Sequence, residues 1–151
     1  MPSIFSYQKH ITNLITREMV FPVDANGQQL GTELATIAGT TYVSLPDGAT
    51  LPTVQPTEIA ASITAVTLDA TTHDAIVAAS PHCKLIAQRM QAQIRAQYSA
   101  DDEMYFARIS IGVLTNQYTF QTGEAAQVSA YGTFVEGVRT WGRSQRAVLG
   151  L

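Results

Sequence analysis

Three histidines, one cysteine, a run of three acids and a row of arginines are the residues whose types could do chemistry here. His10, His73 and His82 stand far apart in the chain and match no spacing known to hold a metal ion, which needs several such ligands converging. His82 and Cys83 are adjacent, so on a helix they project about 100° apart. An imidazole and a thiol so placed do not form the facing pair that nucleophilic catalysis requires, and Cys83 reads instead as a small buried hydrophobe. His73-Asp74 lacks the third group that would orient a catalytic dyad and reads as a solvated or capping pair. Asp101-Asp102-Glu103 would suit a cation or an acid/base pair. The same three residues open a helix, where acids favour the positive end of the backbone dipole.

Two further patterns bear on binding. Gly27, Gly31, Gly39 and Gly48 sit at turns and match no phosphate-cradling or dinucleotide fingerprint. Arg139, Arg143 and Arg146 share one helix face, a candidate contact for nucleic acid or an acidic partner. Cations in the last turns of a helix also suit its negative end, and a formal net charge of −3 argues against nucleic acid. The residues therefore predict no catalytic, cofactor-binding or metal-ligating positions, no cofactor, and a chain that is not an enzyme.

These residues stand on elements that the sequence outlines. Ser80-Pro81 is a helix start, because serine can cap and proline at the first helical position has no N–H to lose. Cys83, Ile86, Met90, Ile94 and Tyr98 then recur on one stripe. Ser99 with Asp102 three residues on resembles a capping box, so a second helix begins at a sharp junction after Tyr98 and is expected to run to Phe120. It carries two apolar stripes, one of Met104, Ala107, Ile111, Leu114 and Tyr118, the other of Phe106, Ile109, Val113 and Phe120. A helix that apolar needs cover on more than one side. Gln121-Thr122-Gly123 is a loop. Glu124 to Val148 is a last helix with Val128, Tyr131, Phe134, Val135, Val138 and Trp141 on a broad stripe.

The first half reads differently. His10 to Thr16 is extended, Glu18 to Val23 is a strand limited by Pro22 to an edge or an end, and Asp24-Ala25-Asn26-Gly27 is a turn. Leu30 to Leu45 is strand, turn, strand about Ala38-Gly39. Leu51 to Pro56 is an extended proline-bearing connector and the best boundary. Ser62 to Leu68 is a short strand, and Asp69 caps a short helix that stops at Ser80-Pro81. The expected fold is α+β, with a β-rich extended amino-terminal part followed by a carboxy-terminal helical bundle. The expected domains are residues 1–56, an arm or docking region, and residues 57–151, mainly helical.

At 151 residues one core of ordinary size can be buried. Charged residues make up only 14%, against about 25% in average usage, a composition suited to surface held against other subunits. Charge is also split: two cations against seven acids over residues 1–79, seven against five over 80–151. Net charges of −5 and +2 are complementary. One cysteine excludes an intramolecular disulfide and fits a reducing compartment. No stretch has the pattern of a signal peptide or the apolar length of a membrane span.

Tyr-Val-Ser-Leu-Pro-Asp-Gly-Ala at 42–49, Ala-Ser-Pro-His-Cys-Lys-Leu-Ile at 79–86, Ile-Arg-Ala-Gln-Tyr-Ser-Ala-Asp-Asp-Glu-Met at 94–104 and the closing segment 134–147 resemble small proteins of tailed bacteriophages and prophages encoded near the tail fibres. The likeness covers about two thirds of the chain and departs from it over roughly the first 45 residues, up to the start of the first of these segments. It implies a structural or adaptor subunit of the virion tail, associated with the tail fibre or baseplate. The alternative it leaves open is a fibre-assembly chaperone that binds the fibre tip. It further implies assembly in the host cytoplasm, and other tail or fibre proteins as partners. A homo-oligomer, by analogy with fibres a trimer, or a hetero-complex is expected, with no membrane involved.

Overall fold

A computed structural model describes all 151 residues. The fold is α+β: antiparallel sheets within residues 3–65 precede four longer helices. By packing, the chain forms two compact units. One joins Met1–Leu85 to Gln145–Leu151, and the other is Ile86–Ser144. These divide the chain at other points than the connector at 51–56, because residues 57–85 pack with the amino-terminal strands.

The first unit is built on strands β1 (Ser3–Gln8), β4 (Thr32–Ile37), β5 (Thr40–Leu45) and β6 (Thr64–Ala65), in the order β4-β5-β1-β6. β4 and β5 form a hairpin whose two-residue turn, Ala38-Gly39, has both φ angles positive, +48° and +84°. That turn matches the twist of the paired strands. β1 lies antiparallel to β5 with Ser3 opposite Leu45 and Gln8 opposite Thr40. Alternation then sends side chains to both faces. Ile4 packs with Leu34, Ala35 and Ile76, joined by Leu149 and Leu151 from the end of the chain. Tyr7 and Val43 pack on the other face with Met19 and Ile59, flanked by Phe5 and Phe21. Helix α2 (Ala70–Ala79) supplies Ile76, and its start is capped by Asp69, whose side chain accepts from the Thr72 N–H at 2.7 Å. A short turn of helix, α1 (Thr57–Ala60), supplies Ile59.

The arm-like feature of this unit is narrow. Strands β2 (His10–Thr12) and β3 (Ile15–Arg17) form a separate hairpin, exposed along its whole length, turning at Asn13 with φ +54°. Two strands are shorter than the sequence suggests. Glu18 to Val23 contributes only a single bridge, Val23 to Gln29: the Val20 N–H and carbonyl both bond the Gln55 side-chain amide instead of a strand, and Phe21 lays its ring on Gly31, where a Cβ would lie 1.8 Å from it. Of Ser62 to Leu68 only Thr64–Ala65 pairs, with Phe5 and Ser6.

The second unit is a bundle of α3 (Pro81–Gln97, entering from the first unit), α4 (Ala100–Leu114) and α5 (Glu124–Val148, whose last residues return to the first). Ser99 caps α4 in a full capping box with Asp102, so the junction lies where the sequence places it. Tyr98, Phe106, Tyr131 and Phe134 form one aromatic cluster with ring centroids 5.1–6.0 Å apart. Edge-on pairs such as Tyr98 on Tyr131, at 83°, suit the ring quadrupoles. Helix α4 ends at Leu114 and not at Phe120. Thr115 returns its hydroxyl to the Ile111 carbonyl, Asn116 turns left-handed at φ +56°, and the Gln117 and Tyr118 N–H groups both donate to the Gly112 carbonyl. Tyr118 thereby folds back across Gly112, whose missing Cβ leaves room that a methyl would fill at 2.7 Å.

Candidate functional site

Several of the residues that the sequence offered for chemistry have a structural occupation, whereas Asp101 and Arg139 stand exposed and Arg146 partly exposed on their helices, and His10 meets only the Thr12 hydroxyl on the exposed hairpin. Cys83 is buried on the α3 stripe at 4% exposure while its neighbour His82 is exposed. Nδ1 of His73 lies 3.0 Å from Oδ1 of Asp74, open to solvent. Asp102 is committed to the Ser99 cap, which holds its carboxyl below the usual carboxylate range. Glu103 accepts from Arg95 and, at 2.8 Å, from the Tyr131 hydroxyl, tying the three helices together. Arg143 pairs with Glu136 on its own helix. Nowhere do three or more His, Cys, Asp or Glu side chains converge to hold a metal ion.

One polar cluster was not legible in the sequence. Glu124, the first residue of α5, is 8% exposed and receives three donors. The Tyr105 hydroxyl donates to Oε1, the Tyr118 hydroxyl lies 2.9 Å from both carboxylate oxygens, and the Gln121 N–H donates at 2.7 Å. Hydrogen bonding from Tyr105 and then from Gln121 keeps the carboxyl below the usual range. The same carboxylate pushes Tyr105 up to about 12 and raises Tyr118. The carboxyl is held by these hydroxyls more than by a deep core, so hydrogen bonding and not burial sets its charge. Both phenols stay protonated at neutral pH and spend their protons on one acceptor, which makes the cluster a latch between α4 and the start of α5. Separations of 19 and 6 residues carry no pattern that a sequence reading could use. Only the reversal at Asn116 brings Tyr118 to Glu124.

Beside this latch lies an open cleft of about 660 Å³. Tyr105, Arg108, Ile111 and Thr115 line one side and Gln117 and Tyr118 the other. The cleft continues onto the outer face of α4. Phe106 and Ile109 are buried in the bundle and Val113 partly so, whereas Met104, Ile111 and Leu114 are 64%, 60% and 83% exposed. One of the two apolar stripes of α4 is thus packed and the other faces water. In the first unit the β2–β3 hairpin likewise exposes Ile11, Leu14 and Ile15.

No helix is long and apolar enough to cross a membrane. Comparison with protein-family models, with curated proteins and with solved structures finds no match.

Proposed function

We propose that the chain is a non-catalytic structural or adaptor subunit of a bacteriophage tail, associated with the tail fibre or baseplate and assembled in the host cytoplasm. The observation that carries the association role is the outer stripe of α4, whose Met104, Ile111 and Leu114 stand open on the side opposite the bundle core. A contiguous apolar face of that kind marks a contact with another protein. Its partners are other copies of the chain or other tail and fibre proteins, and it works without a cofactor. Support for a non-catalytic role comes from the polar clusters: Glu103, Glu124, Tyr105 and Tyr118 each hold helices together. The phage assignment rests on the sequence resemblance and on the low charge, which suits surface held against neighbours.

Quantitative mass spectrometry of purified particles from the phage or prophage encoding the chain tests the proposal. A subunit is present at fixed copy number relative to the tail proteins. Absence from particles, with capture on the fibre protein during assembly, would support the chaperone alternative instead. Absence from both would defeat both readings.

A further inference from the structure

We propose that the outer face of α4 is a self-association surface on which a second copy of this chain docks its own α4, antiparallel and about a two-fold axis near Ala107 and Arg108. The proposal rests on the association role above and names the partner and geometry of that surface.

Three observations choose this occupant. The first is self-complementary spacing. An antiparallel register that sets Ala107 against Arg108 of the second copy also sets Met104 against Ile111 and Asp101 against Leu114, with every contact made twice. The large side chain at the axis meets the smallest one, and the apolar pair Met104–Ile111 flanks it on both sides. The second is charge. Asp101, Asp102 and Glu103 stand in the first turn of α4 and no basic residue stands in its last. A parallel pair would bring six acids together. The antiparallel pair holds the two acidic ends about 20 Å apart at 1.5 Å per residue, beyond a Debye length of about 8–10 Å. Arg108 forms no ion pair within the chain, the salt bridges of this unit being Arg95–Glu103 and Arg143–Glu136. Helical side chains lean toward their own N-terminus, so in this register the two Arg108 side chains, which start beside each other at the axis, lean apart, each toward the last α4 turn of the other copy, the negative end of that helix's dipole.

The third is area. Met104, Ile111 and Leu114, at the exposures given above, present roughly 400 Å² of apolar surface, within the range of patches that mark interaction sites. With the flanking Tyr105, Arg108 and Thr115 the contact approaches, at its small end, the roughly 800 Å² per partner of a stable interface. Area alone does not fix affinity, so the association is sought across the micromolar range. The arrangement is two-fold where the likeness to fibre-associated proteins implied three.

Sedimentation equilibrium of the full chain from about 1 to 100 μM tests the association, independently of whether particles contain the protein. The expected result is a reversible monomer–dimer equilibrium built on 16.3 kDa, with the dissociation constant raised at least about tenfold by Ile111→Asp or Leu114→Asp while circular dichroism is unchanged. A monomer throughout, a trimer, or a dimer indifferent to both variants would overturn the proposal, the first pointing to a different protein as occupant. Orientation is tested by oxidation. Ala107→Cys should form a disulfide dimer across the axis, and Leu114→Cys, about 20 Å from its counterpart in this register, should not. Equal cross-linking of both would refute the antiparallel register.

Discussion

Helix α5 offers one substitution at three places with different expected outcomes. Gly132, Gly137 and Gly142 all lie in its interior, where alanine is more favourable than glycine by about 0.8–1.0 kcal/mol. A Cβ at Gly132 or Gly137 would meet nothing within 4 Å, whereas at Gly142 it would lie 2.2 Å from Sδ of Met90 on α3 and 3.0 Å from its Cε. Gly132→Ala and Gly137→Ala should therefore each stabilise by about 0.8 kcal/mol. Gly142→Ala gains the same propensity, but the thioether must swing aside, which costs about 1 kcal/mol, the low end for added volume because the atoms met are the far end of a flexible side chain, for a net effect near zero. Urea unfolding at one fixed protein concentration measures these differences, followed by circular dichroism and by the fluorescence of Trp141, the single tryptophan. Met90→Ala supplies the control. It removes the sulfur that the new methyl strikes, so Gly142→Ala made in that background should recover about 1 kcal/mol relative to additivity. If Gly142→Ala stabilises as much as the other two, or the cycle shows no coupling, the close approach of α3 and α5 at this point is wrong.

The remaining predictions concern pH, a buried hydroxyl and the thiol. Because the folded Glu124 carboxyl titrates below its ordinary 4.5, its contribution is present above that pH and is lost as pH falls through the folded value. The raised Tyr105 works in reverse, contributing fully below 10.0 and losing that contribution as pH rises toward about 12. Glu124→Gln should flatten both edges of the pH–stability profile, and unchanged edges would count against the latch. Tyr7 is 1% exposed and its hydroxyl has no hydrogen-bond partner, the nearby Met19 backbone lying outside bonding geometry. Tyr7→Phe should thus be neutral or stabilise by up to about 1 kcal/mol in the same unfolding assay, and a loss of more than 1 kcal/mol would reveal a partner. Cys83 should react with a thiol reagent only on unfolding, and Cys83→Ser should cost about 1–2 kcal/mol; fast labelling of the native protein would show the α3 stripe to be open.

Local features are legible in the chain without its fold. Ser80-Pro81, Ser99 with Asp102, and Asp69 place three helix starts correctly, because a cap is a contact between residues three apart and needs no other part of the chain. The stripe Cys83, Ile86, Met90, Ile94 and Tyr98 is the inward face of α3, since a 3.6-residue period is written into one element. Ala38-Gly39 marks its hairpin for the same reason. Tertiary structure decided what depends on residues far apart. Glu18 to Val23 has strand composition, yet Val20 gives its backbone N–H and carbonyl to the Gln55 amide 35 residues away, and only Val23 pairs, with Gln29. Leu149 and Leu151 close the core of the β-unit from the other end of the chain, which no period in the sequence announces. The two stripes of α4 are equally apolar as sequence, and only packing chose Phe106 and Ile109 for the core and left Met104, Ile111 and Leu114 to water. The Tyr105–Glu124–Tyr118 latch exists because the chain reverses at Asn116, a left-handed residue whose consequence, a carboxylate shared by two phenols, is created by the fold and by no motif.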